Sequence, residues 1–414
     1  MRPWRQHLQF APLFASGLMV AVIAYSDWVE ATSPERFYQM VQEDEALEWA
    51  SFWAFLLAAV ANVIAAGRQR RTRGGLPWFL AGLGLFCFVV AMEEISWGQR
   101  VLGYRPPSYF LEHNYQQEFN FHNVIDSDLR QDAFIGLIAL YGLALPLASL
   151  LPWLKQWIPR ARIVAPPTLL APGFAAALWI YIDYPWRFAG EVVELSVGLG
   201  FLFAAGLCAR HLGREFEPQN TPGPRWHDTA WVAALAVGTL SLGVANAAFS
   251  QLQRTASPEA LEAARLELEA LQTDFLERAE LRGGRLPVRC GVHKRLYTFA
   301  EHYRQRFLLR GRFSALTGQG LPEERAAFLI DPWNNPYWIR SRCSDDRSRR
   351  TVFLYSFGPN RRRDSSKWEA LADDVGVYLL RTDGEPEPTR KAPSKPTPAP
   401  RTVGSSAFSS GTPR

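Results

Sequence analysis

The sequence predicts an α-helical polytopic membrane protein of about seven spans, followed by a soluble α+β domain. Of its 414 residues, 48% are hydrophobic, and the long apolar runs are concentrated between residues 8 and 250. Each run has the roughly 16 to 22 residues that a helix needs to cross the hydrocarbon core. From residue 251 the composition is that of a soluble chain, and the last stretch is rich in Pro, Ser and Thr.

The predicted spans follow one another with short loops of alternating charge. Basic residues cluster in every second loop, most clearly in Arg68–Arg73, which is the positive-inside pattern. The loop before Trp49 is acidic and suits the outer side. The first apolar run is long for a signal peptide and lacks a clean cleavage site, so we expect an uncleaved span. The spans are residues 8–29, 49–66, 76–95, 133–154, 169–184, 191–210 and 229–249.

An odd number of spans and a cytoplasmic N-terminus place the C-terminal half outside the cytoplasm. We therefore expect a multi-pass protein of the inner (cytoplasmic) membrane, with a periplasmic or extracytoplasmic C-terminal domain. Membrane lipid is then the expected surrounding. The formal net charge of +5 is explained by the topology, so no nucleic-acid partner is expected. The predicted domains are 1–250 (membrane), 251–382 (soluble) and 383–414, a tail too poor in apolar residues to fold.

The soluble domain begins with a strong helix signal. Ser257 is a good N-cap and Pro258 suits the first helical position. Apolar residues then recur at helical spacing until Gly283-Gly284. A helix over 297–309 and strands over 337–340 and 351–356 are predicted after it.

The four cysteines divide evenly between the two parts. Cys87 and Cys208 lie in apolar runs, where a thiol behaves as a small core residue. Cys290 and Cys343 lie in the soluble part, and they could form a disulfide if that part is outside the cytoplasm.

The stretch 91–123 has an unusual density of polar groups at the end of a predicted span. Carboxylates in this position are costly unless they face water, a metal or each other, so they are functional candidates. Further carboxylates from the loop before Trp49, and from Glu191 and Glu194, are predicted on the same outer face. The polar residues of the stretch are Glu93, Glu94, Glu112, His113, Asn114, Glu118, Asn120, His122 and Asn123.

One hypothesis for this stretch is a transition-metal site. Imidazole and carboxylate are common ligands of zinc, manganese and iron, and Glu118 and His122 would share a face if they were helical. A metal with an open position could hydrolyse a lipid amide or ester, with Glu94 and His122 as the catalytic residues. The proposed ligands are Glu93, Glu94, His113, Glu118 and His122.

Two other interpretations of the stretch stay open. The same side chains could cap helix ends and satisfy the backbone of an interfacial loop. They could also bind a ligand or an ion in a sensor. The run from Glu93 to Asn123 (EEISWGQ…HN) resembles a motif of bacterial multi-span membrane proteins, but that family has no established activity.

The soluble domain carries three motifs in order: DPWNNPY from Asp331, YSFGPN from Tyr355 and ADDV from Ala372. They resemble the globular domain of the major pseudopilin (protein G) of the type II secretion system. The resemblance covers roughly residues 255–381 and implies an α+β head behind a membrane-anchored helix. The chain departs from that family in lacking the prepilin cleavage motif before the helix and in having Asn360 where an Asp is usual.

The pseudopilin resemblance also implies a calcium site. It points to oxygen ligands at Ser356, Asp364, Asp373 and Asp374, a set that suits Ca²⁺. The alternative is a solvated acidic turn before an edge strand, because the neighbouring run 361–363 of three arginines could neutralise the same carboxylates.

The sequence therefore predicts an envelope scaffold or sensor whose head binds calcium or an envelope protein partner. A metal-dependent membrane hydrolase acting on lipid is the alternative. A head joined to seven spans cannot be drawn into a pilus in the usual way, so we expect the fold to serve another task.

Overall fold

The computed structural model describes residues 10–42, 44–102, 104–114, 116–214, 226–253, 257–346 and 348–382. The predicted tail, 383–414, lies outside them. The described chain forms a helical bundle, residues 10–253, and a smaller head, residues 257–382. The bundle helices are α1 (Phe10–Thr32), α2 (Pro34–Met40), α3 (Ala46–Arg73), α4 (Trp78–Glu94), α5 (Gln99–Leu102), α6 (Ser108–His113), α7 (Ser127–Leu137), α8 (Leu145–Ala148), α9 (Leu154–Arg160), α10 (Ala171–Asp183), α11 (Ala189–Arg214) and α12 (Trp226–Gln253).

Among the described residues, five helical segments are long and apolar enough to cross a membrane, as expected of a multi-pass membrane protein. They are Phe10–Thr32, Ala46–Arg73, Ser127–Ala148, Ala189–Gly213 and His227–Ser250. The predicted third and fifth spans form shorter apolar helices, α4 with 17 residues and α10 with 13.

Helix α11 is the central helix of the bundle and packs against α1, α3 and α10. In its apolar segment 89% of residues are buried, against 28% in α12, which lies at the periphery. Gly200 permits the close packing, because a Cβ atom there would lie 2.6 Å from the Phe174 ring and 2.8 Å from Met19. Phe201 stacks on Tyr141, with ring centroids 4.4 Å apart.

The fourth span begins earlier than the apolar run predicts. We expected residues 133–154, whereas the helical segment runs from Ser127 to Ala148 with a π-helical part at Ile138–Ala144. The cause is a polar cap: the Asp126 carboxylate accepts the amides of Asp128 (3.0 Å) and Leu129 (3.4 Å). The cap adds a polar first turn that hydrophobicity alone does not detect.

The head consists of one long helix, four short helices and a four-stranded antiparallel sheet in the order β1-β2-β3-β4. Leu268, Leu271 and Phe275 of the long helix pack with Ile339 and Leu354 of the sheet in one core. The elements are α13 (Pro258–Glu280), β1 (His293–Arg295), α14 (Leu296–His302), α15 (Phe307–Arg310), α16 (Arg312–Ala315), α17 (Glu323–Phe328), β2 (Trp338–Cys343), β3 (Arg350–Ser356) and β4 (Val375–Arg381).

The predicted start and end of α13 are confirmed. The Ser257 hydroxyl accepts the amide of Ala260 at 3.3 Å. At the other end, Gly283 and Gly284 adopt positive φ angles, and the Gly284 amide donates to the Ala279 carbonyl at 2.8 Å. This 6→1 bond is a Schellman cap, which glycine forms without strain.

The other head predictions are met in part. The strands expected at 337–340 and 351–356 are β2 and β3. The helix expected over 297–309 is wrong as one element: α14 and α15 are separate, with Arg304 between them at φ 53°. Strand β1 was not predicted, and β4 was expected only in the alternative interpretation, as an edge strand after the acidic turn.

A disulfide joins Cys290, which precedes β1, to Cys343 at the end of β2. The other two cysteines are outside this disulfide: Cys87 is buried and Cys208 is partly buried. The two cysteines are 53 residues apart in sequence, and the disulfide links the segment after α13 to the sheet.

We predict that Phe275→Ala destabilises the head by about 3–5 kcal/mol, because it leaves a cavity in a core where this side chain is fully buried. Hydrogen exchange of head peptides in the full-length protein measures the loss. Leu281→Ala is the control, since Leu281 is 80% exposed and its removal should change stability by less than about 0.5 kcal/mol. Equal effects of the two variants would show that Phe275 is not a core residue.

Candidate functional site: a docking platform and an acidic loop

Residues 96–123 form an irregular segment between α4 and α7, which we call the platform. It contains α5, α6 and a loop, and residues 116–126 form no helix. The premise that Glu118 and His122 share a helical face is therefore wrong. Each of these side chains has a different set of partners.

The Glu93 carboxylate, at the end of α4, holds the far end of the platform. Its Oε2 accepts the amides of Phe121 (2.7 Å) and His122 (2.9 Å), and the His122 ring Nδ1 lies 3.3 Å from it. Its Oε1 accepts the Trp97 indole N–H at 2.6 Å. A carboxylate that accepts several N–H groups is a strong fixed anchor for a loop.

A second polar group lies inside the platform and is buried. The Ser96 hydroxyl donates to Glu118 Oε2 at 2.8 Å, and the Asn120 amide donates to both Ser96 Oγ and Glu118 Oε2 at 3.2 Å. The Asn114 amide in turn donates to Asn120 Oδ1 at 2.7 Å. These residues satisfy one another, as a buried polar network must.

The turn after α4 is unusual in its backbone. Ser96, Trp97 and Gly98 have φ angles of 47°, 54° and 80°, and only glycine adopts this region without strain. The Tyr104 hydroxyl supports the turn by donating to the Trp97 carbonyl at 3.1 Å. The turn directs Ser96 and Trp97 back toward the loop that Glu93 holds.

Glu94 has a different set of neighbours from Glu93. It interacts electrostatically with Glu194, Glu191, Glu48 and Glu93. Carboxylates from α3, α4 and α11 therefore approach one another at one end of the bundle. Glu194 also interacts electrostatically with His122 and Arg130.

The five residues suggested as transition-metal ligands are not brought together as one set. Glu93 and His122 meet, Glu118 belongs to the buried network, and Glu94 faces other carboxylates. His113 is exposed and stacks on Tyr109, with ring centroids 4.4 Å apart. Among the described residues, the one group of acidic, His or Cys side chains with metal-like spacing lies in the head.

That head group is Asp364, Asp373 and Asp374, whose ligand atoms lie within 4.8 Å of one another. They belong to the segment 357–374, which we call the acidic loop. Three of the four residues implied as calcium ligands are thus together. The fourth, Ser356, instead donates to Asp331 Oδ2 at 2.5 Å and accepts the Gly358 amide.

Asp374 differs from the other two in its surroundings. It is buried, its Oδ2 accepts the Ser365 amide at 2.7 Å, and its Oδ1 has no protein donor. Burial raises the pKa of Asp374 to about 7. The pKa of Asp373 is also raised, by burial and by the nearby Asp364. A cation at this point would offset both effects, because it favours the charged carboxylates.

Two of the three arginines in the run 361–363 contact the bundle and not the acidic cluster. Arg362 pairs with Glu45 at 3.2 Å, and the Arg363 guanidinium lies over the Tyr38 ring, 4.4 Å from its centroid. The Arg363 amide donates to Gln42 Oε1 at 3.1 Å. The idea that this run neutralises the carboxylates therefore does not hold for Arg362 and Arg363, because α2 and the segment between α2 and α3 bind them.

The turn that begins DPWNN is organised by a buried carboxylate that sequence analysis did not single out. Asp331 Oδ1 accepts the amides of Trp333 (3.0 Å) and Asn335 (2.7 Å), and Oδ2 accepts the Ser356 hydroxyl. The side chain is completely buried, which raises its pKa to about 7. Asp331 thus joins the turn to the end of β3.

The head docks on the platform through this same end of the sheet. Leu111 of the platform packs with Phe328 and Ile330 of the head in a small apolar cluster. Arg105 pairs with Glu324 at 2.6 Å at the edge of the contact. Between the two parts lies a small polar cavity lined by Gln99, Tyr104, Gln116, Gln117, Glu118, Arg295, Asn334, Asn335, Pro336, Trp338, Phe357 and Arg361.

Sequence reasoning did not predict this docking. It identified the platform as polar and the DPWNN turn as tight, but nothing in either segment indicated that they face each other. The signal that could have helped is Leu111, an apolar side chain of α6 in a platform rich in polar residues, since such a side chain needs a partner to leave water.

We predict that the stability of the head falls as pH rises from about 4 to about 7. The ordinary pKa of Asp331 is 3.8 and its folded value is about 7, so in this interval the folded state holds a proton that the unfolded state lacks. Asp331→Asn keeps an acceptor for the two amides and should make the slope shallower. Denaturation followed at several pH values measures it.

Asp346→Asn is the matched control for Asp331→Asn. Asp346 is an exposed aspartate whose pKa is lowered to about 2 by the Ser344 and Ser348 hydroxyls, so it titrates below the interval. The control should leave the slope unchanged. A wild-type slope equal to that of Asp331→Asn would show that Asp331 is ionised throughout.

We predict that Glu93→Ala releases the platform loop. The amides of Phe121 and His122 lose their acceptor, so their hydrogen exchange should accelerate about tenfold or more, as expected for loss of charge-assisted bonds. His113→Ala removes an exposed side chain and should leave that exchange unchanged. One transition metal per chain in elemental analysis, lost from a Glu94→Gln, His122→Ala variant, would contradict a purely structural platform.

No protein-family model, curated protein or solved structure matches this chain. The described geometry therefore carries the functional argument. It contains two linked features, a platform that holds the head and an acidic loop that borders the contact.

Proposed function

We propose that this protein is an envelope sensor of the bacterial inner membrane, with a pseudopilin-like head that responds to calcium. The membrane bundle anchors the head, and the platform holds it in one docked position. The acidic loop binds the cation and passes the effect to the bundle through its arginines. The observation that carries the proposal is that one loop contains both the acidic cluster and the bundle contacts.

The proposed topology has seven spans, a cytoplasmic N-terminus and a head outside the cytoplasm. The five long apolar helices supply five spans, and the shorter α4 and α10 supply the other two. The head contacts both the segment between α2 and α3 and the platform after α4, so these segments belong on one side. The disulfide Cys290–Cys343 fits an oxidising compartment.

The calcium ligands that we propose are Asp364, Asp373 and Asp374. Ca²⁺ takes oxygen ligands and tolerates flexible geometry, and a partly buried carboxylate cluster suits such a hard cation. The Oδ1 atom of Asp374, buried and without a protein donor, supports this role. Ser356 is left out of the set because its hydroxyl serves Asp331.

Cation binding would act on docking through a very short piece of chain. Arg362 and Arg363 directly precede Asp364, and they hold Glu45, Tyr38 and Gln42 of the bundle. Binding that fixes Asp364 also fixes the backbone from which these side chains project. A loop ordered in this way loses less entropy when it docks, so calcium should strengthen the contact.

We do not propose the lipid hydrolase. Glu93 holds the platform loop, and Glu118 belongs to a satisfied buried network. Among the described residues of the bundle, no group of donor atoms has the spacing of a metal site. The polar stretch is better explained as the support of the docked head.

We predict that the full-length protein in detergent binds Ca²⁺, and that an Asp373→Asn, Asp374→Asn variant binds it at least about tenfold more weakly, since each carboxylate is a charged ligand. Equilibrium dialysis with elemental analysis measures the binding. Calcium should also slow hydrogen exchange in residues 38–45 of the wild type, because the acidic loop is then held against them.

An Asp345→Asn, Asp346→Asn variant is the matched control. It removes two adjacent carboxylates from the same head, in the turn between β2 and β3, and should leave calcium binding unchanged. Absence of calcium binding in the wild type would refute the ion site. Binding without any change in residues 38–45 would refute the sensor and leave an ion-binding head.

A further inference from the structure

A second candidate site lies at the other end of the head sheet. It is an open cleft of about 590 Å³ between the segment that precedes β1 and the turn that joins β2 to β3. The disulfide Cys290–Cys343 ties these two walls together, and the Gly291 amide donates to the Ser341 carbonyl at 3.0 Å beside it. The cleft therefore has covalently fixed walls. Its lining residues are Val288, Arg289, Cys290, Gly291, Arg342, Cys343, Ser344, Asp345 and Arg350.

Three arginines dominate the chemistry of this cleft. Arg289, Arg342 and Arg350 come from three different segments, and within the described part of the chain none of them makes an ion pair. Arg350 is held across the cleft because its Nη2 donates to the Val288 carbonyl at 2.6 Å. The Nε atoms of Arg342 and Arg350 are shielded from solvent and have no acceptor in the protein.

Shielded guanidinium N–H groups without an acceptor are costly, so a ligand that supplies acceptor oxygens would stabilise them. Guanidinium groups present several N–H donors in a planar fork that matches the oxygens of a phosphate or carboxylate. Asp345 is the one carboxylate among the residues that line the cleft, so the lining carries an excess of two positive charges. That excess matches a phosphate dianion better than a carboxylate.

We propose that this cleft binds the phosphate group of a soluble phosphorylated small molecule. Its volume lies in the range of ligand pockets and exceeds what a bare ion needs. The arginines grip the phosphate, and the remaining space accepts the group that carries it. The cleft is separate from the acidic loop, so the test of phosphate binding does not depend on the calcium proposal.

The position of the cleft determines where its ligand comes from. Trp338, at the start of β2, lines the cavity against the platform, whereas Cys343, at the end of β2, lines the cleft. Six strand residues separate the two ends by about 17 Å at the usual rise per residue. The cleft thus opens at the end of the sheet away from the platform, which favours a soluble ligand over a lipid headgroup of the bilayer around the bundle.

Calorimetric titration of the full-length protein in detergent tests the proposal. The probes are inorganic phosphate, glucose 6-phosphate and, at equal ionic strength, acetate. We expect both phosphates to bind and acetate to bind at least tenfold more weakly. The double variant Arg289→Gln, Arg342→Gln should reduce phosphate affinity roughly tenfold or more. Arg310→Gln is the control, because Arg310 is an exposed arginine on α15 outside the cleft.

Several outcomes overturn the proposal. They are no phosphate binding by the wild type, equal affinity for acetate, or an equal loss in the Arg310→Gln control. Binding to vesicles that contain phosphatidylglycerol, without binding to soluble phosphates, would assign the cleft to lipid instead. If the double variant loses its disulfide, the single variant Arg289→Gln tests the site, since Arg289 is exposed and not needed for the core. Unchanged phosphate affinity in that single variant would also count against the site.

Discussion

The carboxylate of Glu93 is the constraint on which the arrangement of bundle and head depends. It ends α4 and accepts two consecutive backbone amides of the platform loop together with the Trp97 indole. Together with the buried network around Ser96, this acceptor connects the loop to the end of the helix. Because Gln117 of this loop donates to the Phe328 carbonyl of the head, the side chain at the helix end supports one part of the docking surface, and the contacts of Arg362 and Arg363 with the bundle form another part.

The head also has a buried carboxylate that holds a loop at the contact. Asp331 closes the DPWNN turn and fixes it to the end of β3, so hydrogen bonds organise the docking surface of the head as they organise the platform. The contact itself combines a small apolar cluster around Leu111 with polar groups around a cavity. Two preorganised surfaces lose little entropy on contact, which suits a modest interface that a ligand can bias.

The parts of the fold that follow from local rules could be read from the sequence. The cap at Ser257, the end of α13 at Gly283-Gly284 and the strands β2 and β3 depend on neighbouring residues only. Contacts between residues that are distant in sequence could not be predicted in this way. Asp331 bonds Ser356, which is 25 residues away in sequence, and Arg363 bonds Gln42, which is 321 residues away. The local sequence pattern indicates neither pair. The helical pairing of Glu118 and His122 failed because hydrogen bonds to Glu93 and Ser96 fix the loop in another form.

The two candidate ligand sites have opposite charge and lie at opposite ends of the same strands. β3 begins at Arg350, beside the basic cleft, and ends at Ser356, whose hydroxyl binds Asp331 next to the platform. From Thr351 to Ser356 every residue of this strand is buried, so the strand can move only as a rigid unit with the core around it. A ligand that shifts the cleft end must therefore shift the docking end or be resisted by the whole core. The packed core around β3 is thus what connects the proposed cleft to the docking surface on the platform.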